Sequence, residues 1–232
     1  MNVRSPELSR AQSELCRRLG YTFANPALLQ RALTHRSHSS NHYERLEFLG
    51  DSVLSFAVST ELYNRFPDLA EGELTRLRAS LVKQETLAKL ARELTLGESL
   101  LLGGGEMKSG GFDRDSILAD SLEAILGAVL VDGGIAAAQE VIARVFYDHL
   151  DRMDPHAIPK DPKTLLQERL QKRSLPTPGY LLLETTGEPH TQIFVVECRI
   201  PELSLHTRGE GSTRRAAEQD AAQQALERLP AQ

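Results

Sequence analysis

Residues 44–52 read ERLEFLGDS. At about 100° per residue, a helix through them sets Glu44, Glu47 and Asp51 within an arc of roughly 60°. Leu46, Leu49, Val53 and Phe56 collect on the opposite side, so the expected element is an amphipathic helix with its acids facing away from a core. Carboxylates this close repel one another and raise each other's proton affinity, and a chain that keeps them together usually supplies a cation. Lysine, arginine or a hard metal ion would serve. Arg45, the only base inside the segment, points about 100° away from Glu44, which makes a metal the better candidate.

Working outward, apolar residues recur at three and four spacing through most of the first 150 positions, with turn residues between segments. The spacing predicts helices over 7–19, 26–34, 43–66, 71–94, 115–132 and 135–151. Asn25 before Pro26 reads as an N-cap with proline at the first helical position, and Gly133 with Gly134 as a helix stop. Residues 153–162, MDPHAIPKDP, carry three prolines and little apolar periodicity, so they read as a linker. Beyond them come a helix over 163–171, strands over 179–186, 193–200 and 203–208, and a helix over 213–229. The expected organisation is an all-α domain over 1–152, the linker 153–162, and an α+β domain of order α-β-β-β-α over 163–232.

Composition limits the classes of function. A chain of 232 residues with ordinary apolar and charged fractions suits one large or two modest globular domains. The first twenty residues hold six charged side chains and no apolar run, and residues 117–131 contain Asp120 and Glu123 and fall short of a membrane span. A cytoplasmic protein with no membrane partner is expected. Cys16 and Cys198 lie far apart without CxxC spacing and read as reduced packing residues. The formal net charge of −5 counts against a polyanionic partner until the chain is divided. From Lys160 onward there are ten bases and ten acids, leaving 17 bases and 22 acids before it from totals of 27 and 32. The acidic excess belongs to the first domain, and a neutral domain with clustered bases is compatible with nucleic acid.

The helix expected after Asp115 repeats the acidic arrangement. Asp120 and Glu123 share one face while Leu118, Leu122, Ile125 and Val129 supply the buried stripe. Two such helices facing one another would enclose Glu47, Asp51, Asp120 and Glu123 in a four-carboxylate pocket. All-oxygen ligation suits Mg²⁺ or Mn²⁺. Such ions activate water and stabilise charge on a phosphate undergoing attack, which is the chemistry of phosphodiester hydrolysis. The run LLGGGEMKSGGF from Leu101 is not a nucleotide loop, since Met107 precedes Lys108 where glycine is needed, and it reads as a flexible connection. His35 and His38 lack partners at zinc spacing, so helix-end or RNA-facing roles are favoured.

ERLEFLGDS, EGELTRLRASLV from Glu71 and DSILADSLEAILGAVLVDGG from Asp115 together resemble bacterial ribonuclease III across nearly the whole chain. The resemblance implies a metal-dependent endoribonuclease cutting double-stranded RNA to 5′-phosphate and 3′-hydroxyl ends, with ribosomal and messenger RNA precursors as substrates. By it, Glu47, Asp120 and Glu123 bind Mg²⁺, for which Mn²⁺ can substitute, Asp51 and Glu123 are catalytic, and Glu44 and Glu71 are accessory acids. Tyr43 stands where relatives often carry asparagine. Phe48 matches a phenylalanine that packs into a partner subunit, which implies a homodimer with two sites in one valley.

The tail GSTRRAAEQDAAQQAL from Gly211 places Arg214 and Arg215 at a helix start, where side chains and helix dipole both favour phosphate. With the α-β-β-β-α order it is similar to a double-stranded RNA-binding domain, with arginines in place of lysines. That likeness assigns minor-groove contacts to Gln167 and to His190 in the loop GEPH. Glu218 stands where many relatives carry a further base, so modest affinity is expected. A protein that keeps the fold but has lost cleavage is the main rival, and the intact acids argue against it.

Overall fold

A computed structural model describes residues 8–154, 161–188 and 192–229. The chain divides into two compact units, Met1–Pro155 and His156–Gln232. The first is helical. α1 (Arg10–Leu19) starts where Ser9 and Gln12 form a reciprocal capping box. α2 (Pro26–Ala32) starts as expected, with the Asn25 side chain accepting from the Ala27 N–H and proline in the first turn. α3 (Glu44–Arg65) carries the first acidic motif.

The single helix expected over 71–94 is two, α4 (Glu71–Val82) and α5 (Gln84–Glu93), because Lys83 adopts an extended backbone that ends one and starts the other. Apolar periodicity continues across the break, which is why spacing alone does not reveal it. The glycine-rich connection contains a short α6 (Gly104–Lys108) and a 3₁₀ turn over Gly111–Asp113. α7 runs over Asp115–Asp151. The helix stop expected at Gly133 and Gly134 survives as a kink: Gly134 takes φ 78° and ψ −176°, a conformation open to glycine. The Asp132 carboxylate just before the kink accepts from the Tyr21 hydroxyl at 2.9 Å and from the N–H groups of Ala24 and Asn25 at 2.8 and 2.9 Å. This fastens α7 to the α1–α2 connection.

α7 is long and apolar enough to cross a membrane by length and composition. Its apolar face is instead packed on α3 and α5, with Leu118, Leu122, Ile125 and Val129 fully buried as their spacing predicts.

Contact between α3 and α7 sets the acids. A methyl group on Gly50 would meet the Glu123 carbonyl oxygen at 1.8 Å, and one on Gly127 would meet that of Leu46 at 2.1 Å. The two glycines let the backbones touch, so the buried arc of α3 runs through Leu46, Gly50, Val53, Leu54, Ala57 and Val58 and adjoins the acids. The expectation that all three acids face away from the core is therefore corrected: Glu47 is half-buried, and only Glu44 and Asp51 are exposed. Phe56, expected on the buried side, is exposed with Phe48 and Tyr63.

In the second unit α8 (Pro162–Lys172) is capped by the Asp161 side chain, which accepts from the N–H groups of Lys163 and Thr164. β1 (Gly179–Thr186), β2 (Ile193–Ile200) and β3 (Leu205–Gly211) form an antiparallel sheet in sequence order, with a bulge in β1 between Leu182 and Glu184. A 3₁₀ turn over Pro201–Leu203 fills the beginning of the expected third strand, which moves its start to Leu205. α9 (Arg214–Arg228) follows, N-capped by Thr213. Leu166 and Leu170 of α8, Cys198 and Ile200 of β2, and Ala221, Ala222, Ala225 and Leu226 of α9 make this unit's core. Cys16 and Cys198 are free and buried, each among its own unit's packing residues.

Candidate functional site

The Gly50–Gly127 contact carries one turn of α3 alongside one turn of α7. Glu47, Asp120 and Glu123 each offer a carboxylate oxygen, and these oxygens lie within 4.8 Å of one another. Oxygen ligands around Mg²⁺ at about 2.1 Å stand no more than about 4.2 Å apart, so the three carboxylates need close only slightly to hold one ion. Asp51, one turn beyond Glu47, is exposed and outside that group, although its charge acts on both Glu47 and Glu123. Two helices facing one another thus bring together three of the four expected carboxylates, with the fourth at the rim.

Burial, and then the neighbouring carboxylates, push Glu123 up to about 8 and Glu47 up to about 7. Burial likewise raises Asp120 above the ordinary carboxylate range, although the charges of His35 and Arg36 pull against it. Without a cation the cluster holds protons at neutral pH, and a divalent ion would replace them. The folded protein then binds more protons than the unfolded chain between the ordinary glutamate value of 4.5 and about 8. Stability from this source is complete below 4.5 and is lost as pH rises through about 7 and 8. Calorimetry of metal-free protein should show Tm falling by roughly 3–6 °C between about pH 5.5 and 8.5, with Mg²⁺ or Mn²⁺ restoring it more at the higher pH. A Tm independent of both pH and metal would contradict a coupled cluster.

A cavity of about 650 Å³ opens beside the acids, lined by Glu47 and Asp120 and, among others, Glu44, Arg36 and Arg114. Glu44 lies 3.5 Å from the Arg36 guanidinium and 3.8 Å from His42. The Arg114 guanidinium is 2.7 Å from Glu106, so the cavity is lined by two cation–acid pairs. Sequence reading did not single out Arg36, Arg114 or Glu106, because they come from the turn after α2, the start of α7 and the short α6, which only the fold brings together. His35 and His38 serve the loops: His35 Nδ1 accepts from the Ser37 N–H at 3.1 Å, and His38 Nδ1 lies 3.3 Å from the Leu102 carbonyl. Tyr43 makes no side-chain cap for α3, but its carbonyl accepts from the N–H groups of Leu46 and Glu47.

Glu71 is not brought to the acid cluster within one chain. It lies in the first turn of α4, accepts from the Thr75 hydroxyl at 2.8 Å, and lines a separate cavity of about 420 Å³ with Phe56, Leu62, Tyr63 and Leu74. Phe48 is 77% exposed on α3.

In the second unit Arg214 and Arg215 are exposed at the first two positions of α9, and Gln167 is exposed on α8. His190 lies outside the described residues. Lys163 of α8, which sequence reading passed over, reaches Glu218 of α9 at 2.5 Å and stands 4.5 Å from the centre of the Tyr180 ring.

Comparison with known proteins follows the same division. Residues 25–150 match a Ribonuclease-III-like family, and residues 162–229 match the double-stranded RNA binding motif. Together they define an endoribonuclease equipped to bind double-stranded RNA. Ribonuclease 3 of Thiobacillus denitrificans is 58% identical over 211 residues, 91% of this chain and 93% of its own. A crystal structure of the nuclease domain of ribonuclease III from Campylobacter jejuni matches with a TM-score of 0.60 at 39% identity, covering 63% of this chain and all of that one. A second structure of that domain matches with a TM-score of 0.58 at 41% identity, covering 60% of this chain and 97% of its own. The chain belongs to the ribonuclease III family.

Proposed function

We propose that Glu47, Asp120 and Glu123 hold Mg²⁺, or Mn²⁺ in its place, and that Asp51 and Glu123 act directly on the hydrolysis of a phosphodiester in duplex RNA. The observation that carries this is the convergence of three half-buried carboxylates whose proton affinities are raised by burial and, at Glu47 and Glu123, by the neighbouring acids. When bound, the ion supplies an activated water and charge neutralisation at the phosphate. Glu123 would help hold that ion, and its carboxylate could also accept a hydrogen bond from the attacking water. Asp51, exposed at the rim, is the free acceptor for its proton. The reaction leaves a 5′-phosphate and a 3′-hydroxyl.

Glu44 and Glu71 act as accessory acids from outside the cluster. The active form is a homodimer in which Phe48 enters a partner subunit. Its exposure and the apolar cavity beside Phe56 and Tyr63 support that reading, as does the Campylobacter relative, whose structure is described in terms of flexibility in a region involved in dimer formation. Glu71 lines that cavity, so dimerisation would place it on the valley floor with the acids. The nuclease domain spans residues 1–152, the linker 153–162 and the double-stranded RNA-binding domain 163–232, where Gln167, His190, Arg214 and Arg215 contact the duplex. The setting is cytoplasmic, and precursors of ribosomal and messenger RNA are the substrates.

The decisive experiment incubates the purified chain with a long perfect RNA duplex, with and without Mg²⁺, and with single-stranded RNA as control. Cutting confined to the duplex and to Mg²⁺-containing samples, with 5′-phosphate ends, is the expected result. Duplex binding without cutting would overturn the proposed catalysis and favour an inactive RNA-binding protein.

A further inference from the structure

Glu218 occupies a place that the duplex-binding reading does not use. It sits one turn into α9 and joins two helices through one carboxylate. Oε2 accepts from Lys163 Nζ of α8 at 2.5 Å, and Oε1 accepts from Arg214 Nε of its own helix at 3.0 Å. Asp161 makes a parallel connection: Oδ1 caps α8, while Oδ2 accepts from Gln219 Nε2 at 2.6 Å and lies 3.9 Å from Arg215. The layering is ordered by depth. The Glu218 side chain is 13% exposed, whereas those of Arg214 and Arg215 are 59% and 81% exposed. Acids lie beneath and bases lie above.

A lysine and an arginine on separate helices would otherwise sample many rotamers, and a phosphate contact would have to order both. Cations at the first turn of a helix also work against its dipole, and an acid one turn along offsets that effect while leaving the guanidinium facing outward. We propose that Glu218 is a positioning residue for duplex binding: its carboxylate fixes the spacing between Lys163 and Arg214, and with it the register in which the two helix ends grip an RNA phosphate backbone. This rests on the reading of Arg214 and Arg215 as phosphate contacts. The competing expectation has the opposite sign, since an acid lying idle near a phosphate path repels RNA and its removal tightens binding.

The test compares Glu218→Gln in the full chain with the same substitution in a Lys163→Met, Arg214→Ala background. Binding of an RNA duplex of about 16 base pairs, one domain footprint, is followed across a salt series without divalent ions, and cleavage of a longer duplex is followed with Mg²⁺. Glu218→Gln is expected to raise Kd and KM by about 3–10-fold, to leave kcat within about twofold, and to flatten the salt dependence by about one phosphate contact. In the doubly substituted background it should do nothing further, because the groups it positions are gone. Tighter or unchanged binding by Glu218→Gln would overturn the positioning role, and so would equal weakening in both backgrounds, which marks damage to the fold. Arg214→Ala alone separates the phosphate contact from its positioning by Glu218. An unchanged salt slope there removes the phosphate-contact reading itself, whereas a flattened slope beside a neutral Glu218→Gln removes only the positioning role.

Discussion

Glu123→Gln is expected to lower kcat on duplex RNA by at least about 10³-fold while leaving duplex affinity within about twofold. Burial and three neighbouring acids push Glu123 up to about 8, so at neutral pH without metal its carboxyl is largely protonated and uncharged. Glutamine reproduces that neutral shape. The substitution should therefore leave the metal-free fold intact, and Tm should fall less steeply than in the parent protein as pH rises through about 8, with the part of the loss that belongs to Glu47 remaining. What glutamine cannot reproduce is the anionic form that a divalent ion would stabilise and that is proposed to meet the attacking water. Loss of cleavage together with loss of the metal-dependent Tm increase is the expected pair of results. Binding is retained because Glu123 is half-buried between α3 and α7, and the duplex contacts are assigned to the other unit. Cleavage at the parental rate would remove the cluster from the mechanism. Lost cleavage with an unaltered response of Tm to metal would leave Glu123 with a chemical role but not a ligand's role. Alanine is the poorer choice of variant, since it removes packing between two helices whose backbones already touch at Gly50 and Gly127.

Much of this site is legible in the sequence because helical spacing is a local property. Glu44, Glu47 and Asp51 recur at intervals of three and four, as do Asp120 and Glu123, and the buried stripe from Leu118 to Val129 orients the second pair. What spacing does not contain is the side from which a neighbour approaches. Gly50 and Gly127 decide that α7 meets α3 beside the acids, burying Glu47 and leaving Phe56 outside. A glycine in a helix reads locally as a weak point, and its use as a contact surface emerges only when both helices are present. Asp132 illustrates the same limit: its three hydrogen bonds run to residues more than a hundred positions away. In the second unit the element order and the turn at Pro201 and Glu202 were readable from strand composition, but the start of β3 was not, because the 3₁₀ turn runs on through Leu203 and Ser204 takes a left-handed backbone (φ 49°) that its residue type does not announce. By its resemblance to double-stranded RNA-binding domains Glu218 stands where many relatives carry a base, and the structure makes it the partner of Lys163, fifty-five positions earlier.

Substituting Arg214 and Arg215 together by alanine is the counterpart of the Glu123 variant, since it should impair binding and spare chemistry. The pair occupies the first two positions of α9, where the dipole disfavours cations and alanine is a better helix former. Intrinsic propensity therefore works against these arginines, and an exposed Arg215 gains little from an ion pair 3.9 Å away. If they are kept for phosphate, stability and binding should move apart. Tm of the full chain should hold or rise slightly, affinity for a duplex at about 0.1 M salt should fall by at least about tenfold, and the slope of log K against log salt should flatten by about two phosphate contacts. At saturating duplex kcat should remain near the parental value, because Glu47, Asp51, Asp120 and Glu123 all belong to the first unit. The salt slope is the discriminating quantity, since a general loosening of the unit lowers affinity and Tm together, whereas loss of two charge contacts changes the number of counterions released and leaves Tm alone. An unchanged slope would mean that the helix start does not touch the backbone, and the proposed positioning role of Glu218 would fall with it.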